Sequence, residues 1–140
     1  MKHLYYLIPV LFLAAFTPSC KKYIQQQEQK AAMAIITDGV WYVNQYLQND
    51  SNITASFSGY LFKFDANGVV TGTRDSVSVQ GSWSANIATK SIYSNFPTAG
   101  DPVKKLNETW TITDSSPTYV AASSTDSSSH SNNILHLQKQ

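Results

Sequence analysis

Few side chains in this sequence have the types and spacing that metal or cofactor chemistry requires. Beyond the first 20 residues, histidine occurs only at His130 and His136, and no cysteine accompanies either one. Metal ions are held by several clustered His, Cys or carboxylate ligands at suitable spacing. We therefore interpret the two histidines as surface residues and predict neither a metal site nor a cofactor.

The hydroxyl and carboxyl groups also lack a catalytic arrangement. Serine is frequent, but no serine stands in the Gly-x-Ser-x-Gly turn that exposes a nucleophile in many hydrolases. Glu108 differs from the other acids because strand alternation puts it on the same face as Trp110, either at a rim or inside a cavity. Aspartates favour turns, where they hydrogen-bond locally, and these fall in predicted turns or loops: Asp50, Asp65, Asp75, Asp101, Asp114 and Asp126. We predict no catalytic residue and expect that the protein is not an enzyme.

The remaining candidates for a binding site are mainly aromatic. Pockets for small ligands are mostly apolar, with a few polar groups that fix orientation. The candidate lining residues are Trp41, Val43, Tyr60, Phe62, Phe64, Trp83, Glu108 and Trp110. In a small barrel such side chains can instead simply fill the interior, and the sequence leaves both interpretations open.

The elements that position these residues follow an N-terminal segment typical of export. Lys2 and His3 precede an apolar run over residues 4–16. That run is shorter than the ~20 residues of a membrane-spanning helix, but its length suits a secretory signal. Small residues then lead to Cys20, the only cysteine in the chain.

The segment Thr17-Pro18-Ser19-Cys20 resembles the bacterial lipobox, with Ser19 as the small residue before the cysteine. This resemblance implies cleavage before Cys20, whose thiol then carries a diacylglycerol and fatty acids such as palmitate. An ordinary signal peptide, or an anchor helix, with an incidental cysteine is the alternative.

Composition fits an exported, membrane-attached chain. Exported proteins usually pair their cysteines or avoid them, and none follows Cys20. Without residues 1–19, nine basic side chains balance nine acidic ones, so neither a basic surface for nucleic acid nor an acidic field is expected. We expect a monomer, lipid-anchored through Cys20 in the outer membrane of a Gram-negative bacterial envelope.

A short helix is predicted next. Residues 21–38 are rich in Gln, Lys and Ala, which favour helix, and the pattern predicts a helix from Ile24 to Thr37 that ends before Gly39. A flexible tether with one helical turn is the alternative. Helical spacing puts the following residues on one apolar side: Ile24, Ala31, Ala34 and Ile35.

A β-hairpin gives the clearest structural signal. Tyr60, Phe62 and Phe64 alternate with polar residues, an Asp-to-Gly turn follows at 65–68, and β-branched residues begin the return strand. Eight such short segments are separated by turns, at 41–47, 60–64, 69–73, 77–83, 92–96, 106–113, 119–122 and 134–138. They predict an all-β antiparallel barrel or sandwich, and an up-and-down barrel is the simplest topology.

Alternation predicts which faces these strands bury. In the first strand, Trp41, Val43 and Leu47 share one face. Val77, Val79, Gly81 and Trp83 share a face of the fourth.

Three motifs resemble those of small bacterial lipocalin-like lipoproteins. Gly39-Val40-Trp41 resembles the Gly-x-Trp signature of the lipocalin family, and Gly81-Ser82-Trp83 resembles a second Gly-x-Trp in the smaller proteins. Between them, residues 62–69 are similar to the stretch Phe-x-Phe, polar turn, Gly, Val. Trp110 and the closing strand 134–137 also stand in the family's order.

The resemblance spans residues 39–138 and implies a lipocalin-like barrel that can hold a small hydrophobic ligand. Lys139 stands near the position where the family has an arginine that stacks on the first tryptophan. Its aliphatic stem can cover Trp41, less well than a planar guanidinium would.

The predicted organisation is a signal peptide at 1–19, a lipidated cysteine with tether and short helix at 20–38, and a barrel domain at 39–140. Two functions remain open. The first is a membrane-anchored module that binds a small hydrophobic ligand in the cell envelope. The second is an interaction or inhibitor module, whose filled barrel binds an envelope partner through its loops.

Overall fold

The computed structural model describes residues 19–126 and 129–140, so the predicted signal peptide, apart from its last residue, lies outside the described part. Two 3-10 turns interrupt the connections, at Thr54–Phe57 and Val103–Leu106. The helix and strands are α1 (Ser19–Thr37), β1 (Trp41–Gln48), β2 (Ser51–Asn52), β3 (Leu61–Phe64), β4 (Val69–Arg74), β5 (Val77–Asn86), β6 (Ser91–Asn95), β7 (Thr109–Ser116), β8 (Tyr119–Asp126) and β9 (Ser131–Lys139).

Eight strands form a closed antiparallel barrel in up-and-down order. Strands β1 and β3 to β9 pair in sequence order, and β9 pairs back onto β1. This seam runs from Trp41 opposite Lys139 to Gln48 opposite Asn133, while β2 adds only two residues to β1. The all-β barrel predicted from the turn-separated segments is confirmed.

The predicted hairpin is confirmed with its turn. Phe64 pairs with Val70 across β3 and β4, and the backbone N–H of Gly68 donates to the carbonyl of Asp65 at 3.0 Å. Gly68 has a φ of 86°, a left-handed conformation that glycine adopts without steric cost. The indole N–H of Trp83 donates to the same Asp65 carbonyl at 2.9 Å, so the next strand fixes the turn.

A β-bulge changes the predicted pattern of β1. The register to β9 shifts between Val43 and Gln45. A bulge inserts one residue into the strand, so the alternation of inward and outward side chains reverses after it. Trp41 and Val43 face the core as predicted, but Tyr46 is fully buried and Leu47 only partly. The prediction that Leu47 shares the inward face is therefore wrong.

Helix α1 starts five residues before the predicted Ile24, and it packs through a different side. Ile36 is buried and Met33 is packed against the core. Of the predicted apolar residues only Ile35 contacts the core, while Ile24 is 56% exposed. The predicted apolar side is wrong except at Ile35; Ala31 and Ala34 are also exposed.

Antiparallel order gives the barrel two different ends. The turns at 65–68, 87–90 and 117–118 lie at one end, together with α1, and we call it the helix end. The connections at 53–60, 75–76 and 96–108 lie at the other, the loop end. At the loop end the 3-10 turns insert buried side chains into the barrel, namely Phe57, Val103 and Leu106.

Strands β5 and β6 approach each other closely at Gly81. A Cβ atom there would lie 2.3 Å from the backbone oxygen of Asn95 on β6. We expect Gly81→Ala to lower the free energy of unfolding by about 3 kcal/mol, since β5 and β6 would have to separate. Urea unfolding followed by tryptophan fluorescence measures this change.

Gly100→Ala is the matched control, because a Cβ at Gly100 meets nothing within 4 Å. It should change the free energy of unfolding by less than about 0.5 kcal/mol. Equal effects of the two substitutions would contradict the close β5–β6 approach.

Candidate functional site

Most of the predicted lining residues lie inside the barrel. Six of the eight are buried, while Tyr60 and Glu108 are partly exposed. The buried six are Trp41, Val43, Phe62, Phe64, Trp83 and Trp110.

The interior holds little free space. A cavity of about 40 Å³ lies among apolar side chains, and only Phe62, Phe64 and Trp110 of the eight predicted residues line it. Pockets for small ligands usually measure roughly 300–1,000 Å³. This cavity can hold only a few atoms, so the aromatic residues serve mainly as core.

Aromatic packing closes the loop end. The ring of Tyr46 stacks on Phe57 at 5.2 Å and meets Trp110 edge-on at 5.9 Å. Its hydroxyl donates to the Lys105 carbonyl at 3.0 Å. Burial raises the pKa of the Tyr46 phenol far above its usual range, and the nearby charge of Glu108 adds to the rise. The phenol therefore stays neutral and remains a hydrogen-bond donor at physiological pH.

Glu108 takes part in a polar cluster near this end. It precedes β7, and Ser124 donates to one carboxylate oxygen while the amide of Asn133 donates to the other at 2.9 Å. Ser124 and Asn133 are buried. The carboxylate thus accepts hydrogen bonds from both β8 and β9, and Glu108 does not line the interior cavity. A structural role is sufficient to explain these contacts.

The helix end contains a concavity much larger than the interior cavity. A cleft of about 650 Å³ lies between α1 and the barrel. Ile92, Ile112 and Val120 line both this cleft and the interior cavity, so they separate the two spaces. None of the eight predicted lining residues faces the cleft.

The cleft exists because β6 is shorter than its neighbour. β7 pairs with β6 only from Thr109 to Thr111, but it continues to Ser116 in its pairing with β8. Residues 113–117 therefore form one wall of the cleft and have no strand beside them on the β6 side. Helix α1 forms the opposite wall through Ala32 and Ile35.

Hydrogen bonds hold α1 over the cleft at its middle. The side chain of Gln29 donates to the Ala85 carbonyl at 3.0 Å and accepts from the Ile87 amide at 3.2 Å. This pair of bonds links the helix to the β5–β6 turn, and Gln29 is half-buried there.

A second set of contacts holds the end of the helix. The indole N–H of Trp41 donates to the Ile36 carbonyl at 2.9 Å, and the ammonium of Lys139 donates to the Ile35 carbonyl at 3.2 Å. The same ammonium lies 5.0 Å from the centre of the Trp41 ring. The expectation that Lys139 covers Trp41 is confirmed.

Sequence patterns gave only weak signals for the cleft. Its floor residues Ile92, Ile112 and Val120 look like ordinary inward strand positions, and its walls depend on how far β6 extends. Among residues 19–126 and 129–140, no three His, Cys, Asp or Glu side chains are grouped closely enough to hold a metal ion. What the cleft offers chemically is apolar surface beside polar groups, including Glu28, Lys90 and Asp114.

Comparison with known proteins supports the fold. The structure is similar to the crystal structure, at 1.00 Å resolution, of a DUF4847 family protein from Bacteroides vulgatus ATCC 8482. The TM-score is 0.55 and the sequence identity 14%, over 78% of this chain and 99% of that chain. No family model and no curated protein sequence matches this chain. At this identity the likeness shows a shared fold.

The Gln29 side chain should control how firmly α1 closes over the cleft. We expect Gln29→Ala to weaken the closed position by about 1–2 kcal/mol, because two hydrogen bonds to the β5–β6 turn are lost. Amide hydrogen exchange should then speed up in residues 29–36 and 85–90.

Gln27→Ala, on the exposed part of the same helix, is the control and should leave exchange in both segments unchanged. If the amide hydrogens of both variants exchange at the rates of the unmodified protein, Gln29 does not hold the helix against the β5–β6 turn.

Proposed function

We propose that this protein is a lipid-anchored, lipocalin-like protein of the bacterial cell envelope that binds a small hydrophobic ligand. The ligand would lie in the cleft between α1 and the barrel. The observation that carries the proposal is the cleft itself, about 650 Å³ in volume with isoleucine and valine side chains on its floor.

Size and surface both favour an apolar guest. The cleft volume falls within the roughly 300–1,000 Å³ of small-ligand pockets, whereas the interior cavity is far smaller. Burial of apolar ligand surface contributes about 25 cal/mol per Å², and it needs no covalent step. The proposed role is therefore binding without catalysis.

Polar groups at the cleft favour an elongated or amphiphilic ligand. Glu28 on α1 and Lys90 in the β5–β6 turn both border the cleft, together with hydroxyl side chains of β7. An apolar tail can contact Ile92 and Ile112 while a polar end remains among these hydrated groups.

Membrane attachment through Cys20 is the second part of the proposal. Cys20 is exposed at the start of α1, and the chain before it carries the apolar run and the lipobox-like residues. None of the helices in the described part is both long and apolar enough to cross a bilayer. An acylated thiol would provide the anchor, because several acyl chains together give stable attachment.

Filling the cleft should weaken ligand binding without unfolding the barrel. We expect residues 20–140 to bind N-phenyl-1-naphthylamine saturably, and Ala32→Phe to weaken this roughly tenfold or more, because the ring occupies the ligand's volume. Fluorescence titration measures the affinity.

Ala31→Phe is the matched control, since Ala31 is exposed and absent from the cleft lining. Native mass spectrometry of protein taken from cells adds an independent test, because a bound ligand gives a mass increment that denaturation removes. No probe uptake and a clean apo mass would overturn the ligand-binding proposal.

The unpaired part of β7 favours a second candidate, a module that binds an envelope protein. Residues 113–116 lack a neighbouring strand on the cleft side, and an extended peptide can pair with such an edge. A photoactivatable cross-linker at Ser115 should then capture a protein in cells, whereas one at Ser84, exposed on β5, should not. Capture from both positions or from neither would exclude this alternative.

A further inference from the structure

Helix α1 has an outward face that carries two large exposed side chains. Tyr23 is 63% exposed and Ile24 is 56% exposed. Apolar side chains on a surface helix normally face the core, so two large exposed ones on adjacent positions make this face a candidate contact surface.

Helical geometry aligns this face with Cys20. At 100° per residue, one side of the helix covers an arc of roughly 100° and carries the exposed residues Cys20, Tyr23, Ile24, Gln27, Ala31 and Ala34. The barrel-facing residues Gln29, Met33 and Ile36 lie on the opposite side. The helix is therefore two-sided, with one face on the barrel and the other on solvent.

We propose that this outward face of α1 docks on the surface of a lipid bilayer. The chain before α1 identifies the occupant, because the apolar run over residues 4–16 ends shortly before Cys20. With that run retained in the membrane, or with acyl chains on Cys20 in its place, the first turn of α1 would begin at the bilayer surface. This inference goes beyond ligand binding and does not depend on it, but it rests on the membrane attachment of the proposed function.

Charge complements this placement. The helix carries three lysines against a single acidic residue, Glu28. Lys30 borders the docking arc, whereas Lys21 and Lys22 lie outside it and would reach the membrane only through their long side chains. Basic residues next to a membrane are attracted to anionic lipids. Tyrosine favours the membrane–water interface, where its ring is apolar and its hydroxyl is hydrated. Tyr23 and Ile24 would thus enter the boundary between headgroups and acyl chains.

The docked orientation also bears on how a ligand reaches the cleft, and this part of the inference rests on the proposed function. Ala32 and Ile35 line the cleft, and they occupy the flank of α1 between its two faces. With the outward face on the bilayer, the cleft opens beside the membrane, about one helix diameter or ~10 Å away. A membrane lipid is then the ligand class that can reach the cleft with least exposure to water.

Vesicle binding tests the docking face separately from ligand binding. Residues 20–140 contain the complete barrel and its core, and Cys20→Ser in this chain excludes any acyl anchor. We expect flotation with vesicles of phosphatidylcholine and phosphatidylglycerol, with weaker binding to phosphatidylcholine alone. Tyr23→Ser with Ile24→Ser should lower the partition coefficient about tenfold, since both side chains lose apolar burial.

Gln25→Ser with Gln26→Ser is the matched control, because these residues are exposed in the same turn and lie outside the docking arc. It should leave vesicle binding unchanged. Absence of binding by the parent chain, or equal losses in both double variants, would overturn the docking proposal. Titration with N-phenyl-1-naphthylamine in the absence of vesicles tests the cleft independently. Failure of the docking proposal can therefore be distinguished from failure of the ligand-binding proposal.

Discussion

Pairing of the first barrel strand with the last is the constraint on which the rest of the structure depends. The seam between β1 and β9 places Trp41 opposite Lys139, and Trp41 is fully buried there. Because the indole donates to the carbonyl of Ile36, closure of the sheet also fixes where α1 ends. The position of the helix over one end of the barrel therefore follows from the same pairing that removes the open strand edges.

The barrel closes unevenly, and this unevenness creates the candidate site. The β1–β9 seam is long, whereas β6 and β7 share only the pairs from Ser91 opposite Thr111 to Tyr93 opposite Thr109. Continued pairing beyond Thr111 would extend the wall and leave less room under α1. Beyond Thr111 the backbone of β7 makes no ladder hydrogen bonds to β6, each of which would contribute about 1 kcal/mol net. A concave apolar surface that opens to solvent lies there instead. The interior, by contrast, is nearly filled by its aromatic side chains.

Local chemistry made much of this architecture predictable from sequence. The hairpin at 62–69 could be identified because alternation and the turn that ends at Gly68 agree, and the burial of Trp41 followed from its place in the first strand. The bulge after Val43 could not be predicted, because it depends on how β1 matches β9. The cleft was missed for a related reason, since it follows from the length of β6 and from the side on which α1 packs.

The choice of helix face shows how the two proposals bear on each other. Sequence periodicity favoured the side with Ile24 and Ala31, yet the barrel takes the side with Met33 and Ile36. Gln29 favours this orientation, because its side chain then bonds both the Ala85 carbonyl and the Ile87 amide. The helix thus has apolar residues on two sides. Packing of α1 on the barrel explains Met33 and Ile36, but it does not explain the exposed Tyr23 and Ile24. An apolar side that begins at Cys20 and faces away from the barrel is what a helix lying between a bilayer and a ligand-binding cleft requires.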